Sequence, residues 1–156
     1  MRSPAAAATA SSRLQRRAIL AGTLTCTGVS FLIAGSATAQ SQAQTEQQRF
    51  FIAEAQRMKD EAVKNGDQPY GAVLVVDGAI AGYGPSRVNS TRNSDAHAER
   101  VALWEAQQKL GRQTLAGSVV YATSRPCSAC QRALAAANVE RMLVGPTAED
   151  AGRPSG

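Results

Sequence analysis

The first half of the chain shows a change from helical to strand-like spacing of its apolar residues. From about residue 46 to 64, apolar side chains recur every three or four positions, which predicts an amphipathic helix that turn residues end at 65–67. A continuous, largely β-branched run at 72–76 predicts a buried strand. The Asp-Gly pair at 77–78 is typical of a tight turn into a partner strand at 79–83, so the pattern predicts a β-hairpin.

The second half repeats helix and strand signals in alternation. A polar loop at 85–94 precedes a predicted helix at about 97–110, and a strand follows at 118–123. A further helix is predicted from about 126 to 138, with a last strand at 141–145. Because a strand–helix–strand crossing implies parallel pairing, the order predicts an α/β fold. We expect a three-layer α/β/α sandwich around a mixed sheet of four to five strands.

The N-terminal segment, residues 1–39, has the composition of an export signal. A basic stretch precedes an apolar run at 18–34, and the small-residue triplet Ala37-Thr38-Ala39 follows it, as in a secretory signal peptide. The paired Arg16-Arg17 resembles a twin-arginine signal. The apolar run is short and interrupted by small polar residues, which argues against a stable membrane anchor. We therefore expect an exported, periplasmic or secreted protein.

Most of the net charge belongs to this N-terminal segment. The chain has 17 Lys and Arg against 12 Asp and Glu, a net charge of +5. Four of the arginines and no acidic residue precede residue 40, which leaves 13 basic against 12 acidic side chains in the rest. A nearly neutral domain gives no indication of a nucleic-acid partner, and none is expected. We predict a flexible linker at 40–47, one folded domain at 48–146 and a polar tail at 147–156.

Two short motifs contain the residues best suited to chemistry. The sequence HAE occupies 97–99 at one predicted helix start, and PCSAC occupies 126–130 at the next. Together they match the H-x-E…P-C-x-x-C signature of zinc deaminases. His97 is the single histidine of the chain, so any imidazole ligand to a metal has to come from it.

These residue types suit a zinc ion. Zinc takes nitrogen and sulfur ligands in a tetrahedron, and a catalytic site leaves one corner for water. Two cysteines three residues apart in a first helical turn can reach one ion, and the free backbone N–H groups there favour thiolates. We predict that His97, Cys127 and Cys130 bind zinc and that Glu99 transfers protons.

The two cysteines also allow other interpretations. In an oxidising compartment, Cys127 and Cys130 could form a disulfide or the redox pair of an exported dithiol oxidoreductase. The preceding Pro126 and the distant His-x-Glu motif favour a metal site over a redox pair. A purely structural zinc would want a fourth protein ligand, and the chain beyond residue 39 has neither a third cysteine nor a second histidine.

With these motifs, the sequence resembles the cytidine and nucleobase deaminase superfamily. PYGAVLV at 69–75 and Asp77-Gly78 make it similar to the guanine deaminase and tRNA adenosine deaminase branch, over roughly residues 48–145. The resemblance implies a zinc-dependent hydrolytic deaminase that removes an amino group from a nucleobase, nucleoside or related heterocycle and releases ammonia. It also implies a five-stranded cytidine deaminase-like fold, Zn²⁺ as cofactor and a homo-oligomer such as a dimer. Export favours a small-molecule heterocycle over tRNA as the substrate.

The resemblance further implies residues that contact the substrate. The backbone amide of Ala98 is expected near it, and an asparagine in the loop after the second strand is expected to bind the base; Asn89 is the candidate, with Asn93 as the alternative. Arg125 stands where this branch usually has Glu, and the chain ends soon after the fourth predicted strand. The family's fifth strand and closing helix are thus expected to be missing or much reduced. These departures leave open a deaminase-fold protein that binds a ligand without turnover.

Overall fold

A computed structural model of the chain describes residues 34–156, so most of the predicted export signal lies outside the described residues. Four helices and five strands occur in this part. In chain order they are α1 (Ala34–Lys64), β1 (Gly71–Val76), β2 (Ala79–Pro85), α2 (Val88–Thr91), α3 (Ala98–Leu110), β3 (Val119–Ala122), α4 (Ser128–Ala136), β4 (Arg141–Val144) and β5 (Glu149–Gly152). Within these residues, no helix has the length and apolar character needed to cross a bilayer.

The strands form one mixed sheet in the order β2-β1-β3-β4-β5. Strand β1 lies antiparallel to both β2 and β3. Strands β3 and β4 are parallel, as expected for two strands joined through a helix, here α4. Strand β5 returns antiparallel to β4. The predicted mixed sheet is therefore confirmed, with five strands.

Helices cover both faces of this sheet. Because side chains alternate along a strand, Val73 and Val75 face α1 whereas Ala72 and Leu74 face the opposite side. The α1 side is closed by Phe51, Ala55 and Met58 against Val73, Val75, Tyr121 and Leu143. The other side is closed by residues of α3 and α4, including Ala98, Ala102, Leu103, Ala106 and Leu134. This arrangement confirms the predicted three layers.

Two glycines in β2 let α3 lie directly on the sheet. A Cβ atom at Gly84 would stand 2.0 Å from the carbonyl oxygen of Ala98, and one at Gly82 would stand 2.0 Å from that of Ala102. Neither position has room for a side chain, so the helix backbone approaches the strand as closely as glycine allows. Ala98 is the first residue of α3. Gly84 thus fixes the position of the helix start that bears His97 and Glu99.

The structure corrects two predictions at the ends of the domain. Residues 40–47, predicted to be a flexible linker, belong to α1, which begins at Ala34. The stretch lacks an apolar period, but four of its eight residues are Gln, and residues 36–64 contain no Gly or Pro, so nothing interrupts the helix. The tail at 147–156, predicted to have no element, contains β5. This edge strand is mostly exposed, so it leaves no alternating apolar pattern in the sequence.

Candidate metal and catalytic site

The candidate site forms where the first turns of α3 and α4 meet. His97 is the N-cap residue of α3, and its φ of −64° and ψ of 154° are those of an extended residue. Cys127 is the N-cap residue of α4 with a nearly identical backbone, φ −66° and ψ 166°. An extended N-cap turns the side chain away from the helix wall, so each residue can point into the space between the two helix starts. Cys130 lies one turn into α4 and donates its N–H to the Cys127 Sγ at 3.5 Å.

The three predicted ligands have the spacing that zinc requires. The His97 Nδ1 is 3.6 Å from the Cys127 Sγ and 3.5 Å from the Cys130 Sγ. All three ligand atoms lie within 4.8 Å of one another, and both thiols are free of disulfides. Bonds of about 2.3 Å to sulfur and 2.0 Å to nitrogen in a tetrahedron separate these ligands by about 3.5 Å. The geometry and the chemistry of the donor set therefore fit Zn²⁺.

The electrostatics of the site also favour a cation. Cys130 is completely buried, and its pKa is raised, mainly by burial and then by the neighbouring Glu99 carboxylate. Glu99 is 6% exposed, and burial raises the pKa of its carboxyl group. Two acidic groups that contact each other out of water are costly to ionise together. A bound cation offsets this cost, which is the role that a metal ion has among thiolates.

A small pocket opens beside these ligands. Its volume is about 180 Å³, and it is lined by Tyr70, His97, Glu99, Ser124, Arg125 and Cys127. Pockets for drug-sized ligands span about 300–1,000 Å³, so this pocket suits a single small heterocycle. Glu99 follows His97 by two residues, and along a regular helix the two side chains would diverge. They line the same pocket because His97 precedes the first helical turn.

Two hydrogen bonds join the segments that frame this pocket. The Thr123 N–H donates to the Gly71 carbonyl oxygen at 2.9 Å, and the Gly71 N–H donates to the Thr123 Oγ1 at 3.1 Å. The pairing brings Tyr70 next to Ser124. Sequence reasoning missed both of these lining residues, because only the register between β1 and β3 places the start of one strand beside the end of the other. The Pro69-Tyr70-Gly71 run before a buried strand was the one available signal.

The predicted substrate residues are placed differently. The Asn89 side-chain amide donates to the Gly66 carbonyl oxygen at 2.9 Å, and the backbone N–H of Asn89 donates to the Asp67 carboxylate at 2.7 Å. The Asn93 side chain accepts a hydrogen bond from the Asp95 N–H at 3.0 Å. Neither asparagine is among the residues that line the pocket. Ala98 is buried at the first position of α3. The roles of Asn89 and Ala98 in substrate binding stay predictions.

A protein-family model matches most of the chain. The cytidine and deoxycytidylate deaminase zinc-binding region matches residues 45–146. Among curated proteins, the chain is 33% identical over 107 residues to tRNA-specific adenosine deaminase 2 of Xenopus tropicalis, covering 65% of this chain and 63% of the relative. It is 33% identical over 99 residues to the tRNA-specific adenosine deaminase of Bacillus subtilis, covering 64% and 62%. The chain thus spans roughly three fifths of the length of these relatives.

Solved structures of deaminases are also similar to this chain. Guanine deaminase from Bacillus subtilis superposes with a TM-score of 0.59 at 32% identity, covering 62% of each chain. A structure from a study of A-to-I editing by tRNA:A34 deaminases superposes with a TM-score of 0.60 at 31% identity, covering 62% of this chain and 70% of that one. These similarities confirm the cytidine deaminase-like fold expected from the motifs.

Proposed function

The chain belongs to the cytidine and deoxycytidylate deaminase family, and we propose that it is a zinc-dependent hydrolase that removes an amino group from a free nucleobase, nucleoside or related heterocycle. One observation carries this proposal: the ligand atoms of His97, Cys127 and Cys130 converge within 4.8 Å beside the buried carboxyl group of Glu99. A structural zinc site would be closed by a fourth protein ligand. Here the remaining side faces a pocket instead.

In the proposed reaction, water replaces the amino group of the ring and ammonia leaves. His97, Cys127 and Cys130 would hold the zinc ion. Zinc, when bound, supplies the Lewis acidity that lets a water molecule react as hydroxide near neutral pH. Glu99 would accept one proton of that water and donate it to the ring nitrogen. The second proton stays on the attacking oxygen and would then pass through Glu99 to the amine, so that the C–N bond breaks, ammonia leaves and the ring carbon keeps a carbonyl oxygen. The exposed Tyr70 ring at the pocket wall offers a face on which a flat heterocycle can stack.

A small heterocycle suits the molecule better than a structured RNA. From residue 40 on, 13 basic residues are balanced by 12 acidic ones, whereas nucleic-acid binding surfaces are generally strongly basic. The small pocket volume agrees with a single ring system. Curated relatives include tRNA-specific adenosine deaminases, so tRNA belongs in the same assay as the free rings.

The test is ammonia release by zinc-loaded protein. Guanine, cytosine, cytidine and pterin should be compared with a tRNA anticodon stem-loop at equal concentrations. We expect turnover of at least one free ring and slower turnover of the RNA. No ammonia from any of them, with zinc present and both thiols masked from a thiol reagent, would favour a protein that binds without turnover. Thiols that cycle with dithiothreitol in a metal-free protein would instead favour the dithiol oxidoreductase.

We also propose that the protein is exported by the twin-arginine route. The support is the Arg16-Arg17 pair, the apolar run after it and the Ala37-Thr38-Ala39 triplet. Export of the folded state would let zinc bind in the reducing cytoplasm, before the thiols meet an oxidant. We expect replacement of both arginines by lysine to retain the protein in the cytoplasm. Fractionation followed by immunoblotting measures this, and normal export of the variant would contradict the route.

A further inference from the structure

We propose that Arg125 makes this site selective for heterocycles that carry an anionic group, a carboxylate or a phosphate. The inference deepens the proposed deaminase function, from which it takes the amino-bearing ring. The anionic group itself does not react; its role is to be recognised by the Arg125 cation at the pocket.

Arg125 is a cation without an internal partner. It is exposed and lines the same pocket as His97 and Glu99. By contrast, Arg57, Arg100 and Arg141 each pair with a carboxylate. Among the described residues, no hydrogen bond or ion pair involves the Arg125 side chain, and the one acidic side chain that lines the pocket, Glu99, is not paired with it. The guanidinium group is thus available to a ligand.

The position of Arg125 places that cation close to the reacting centre. It precedes the predicted metal ligand Cys127 by two residues and directly follows Ser124, which also lines the pocket. A guanidinium group offers parallel N–H donors that match the oxygens of a carboxylate or phosphate, and a neighbouring hydroxyl can add a further hydrogen bond. Since a volume of about 180 Å³ leaves room for one heterocycle and little more, an anionic substituent would lie at the mouth of the pocket, and Arg125 is exposed.

The experiment compares matched substrates that differ in one anionic group. Cytidine with cytidine 5′-monophosphate tests phosphate, and pterin with pterin-6-carboxylate tests carboxylate. For wild-type protein with zinc bound, we expect a higher kcat/KM for the anionic member of at least one pair. In Arg125→Gln, the ratio of anionic to neutral kcat/KM should fall roughly tenfold, the usual loss for a hydrogen bond to a charged group. Arg125→Lys should retain part of the preference because lysine keeps the positive charge but lacks the parallel N–H donors of the guanidinium group.

A matched control removes the same charge nearby. Arg132 is exposed on α4 but does not line the pocket, so Arg132→Gln should leave the ratio at its wild-type value. Zinc content is measured in every variant, because Arg125 lies near Cys127. Added salt should reduce the wild-type preference more than that of Arg125→Gln, since the proposed contact is exposed.

The outcomes separate this inference from the deaminase proposal. Deamination with the same ratio in wild type and Arg125→Gln would overturn the role of Arg125 and leave the deaminase intact. If no ring is deaminated, the deaminase proposal fails, and isothermal titration with the same pairs still decides the inference. Tighter binding of the anionic member that is lost in Arg125→Gln would support it, and equal affinities would overturn it.

Discussion

Replacement of Glu99 by Gln is expected to lower kcat for ammonia release by about 10²–10⁴-fold while the protein keeps its zinc. The amide has nearly the shape of the carboxyl group and fills the same buried position, which is 6% exposed. It cannot accept the proton of an attacking water molecule. The variant should therefore fold and bind metal like the wild type but lose the proton transfer. Steady-state ammonia release and metal analysis of the same preparation measure both properties.

An exposed glutamate provides the control for this substitution. Glu140 lies on the surface before β4 and does not line the pocket, so Glu140→Gln should retain wild-type turnover. Wild-type kcat in a zinc-loaded Glu99→Gln protein would remove Glu99 from the mechanism. Loss of zinc together with activity would mean that Glu99 acts on the metal site through its contact with Cys130 rather than on the substrate.

The core of the fold was predictable because its strands and helices bury continuous or periodic apolar faces. The run at 72–76 marks β1, and the prediction differs from the observed strand by one residue at its start. Strand β5 could not be found in this way, since its residues are mostly exposed and it is fixed by backbone pairing with β4. The first turns of α1 were missed for a related reason: their Ala- and Gln-rich sequence favours a helix but shows no apolar face.

The metal site was more predictable than the pocket around it. His97, Cys127 and Cys130 lie at two helix starts that a sequence can signal, and the structure brings their ligand atoms together. Tyr70 reaches the pocket only through the pairing of β1 with β3. The side-chain amide of Asn89, the residue that the resemblance suggested for substrate binding, donates to the Gly66 carbonyl oxygen. This contact joins two separate segments, and no local pattern reveals it. Local signals therefore predict residues that could hold a metal ion, whereas strand register determines which residues surround them.

Substitution of Cys130 by Ser is expected to abolish zinc binding, from about one ion per chain in the wild type to nearly none. A serine hydroxyl does not ionise near neutral pH, and oxygen is a poor replacement for a thiolate in a site of this kind. Cys130 is completely buried and its Sγ is 3.5 Å from the His97 Nδ1, so the substitution removes a donor atom from the centre of the candidate site. Metal analysis of protein expressed without oxidant and purified under reducing conditions measures the loss.

Loss of the ion should also lower stability, because a ligand that binds only the folded state stabilises it. At free zinc about a hundredfold above the dissociation constant, this contribution is roughly 2.7 kcal/mol. Chelation of the wild type should therefore lower the melting temperature and leave that of Cys130→Ser unchanged. Ser128→Ala, an exposed change between the two cysteines, should behave like the wild type. Full zinc occupancy in Cys130→Ser would contradict the assigned ligands. A zinc-free wild type with Cys127 and Cys130 joined as a disulfide would instead favour the dithiol oxidoreductase, since the two thiols cannot bind the metal while they are oxidised.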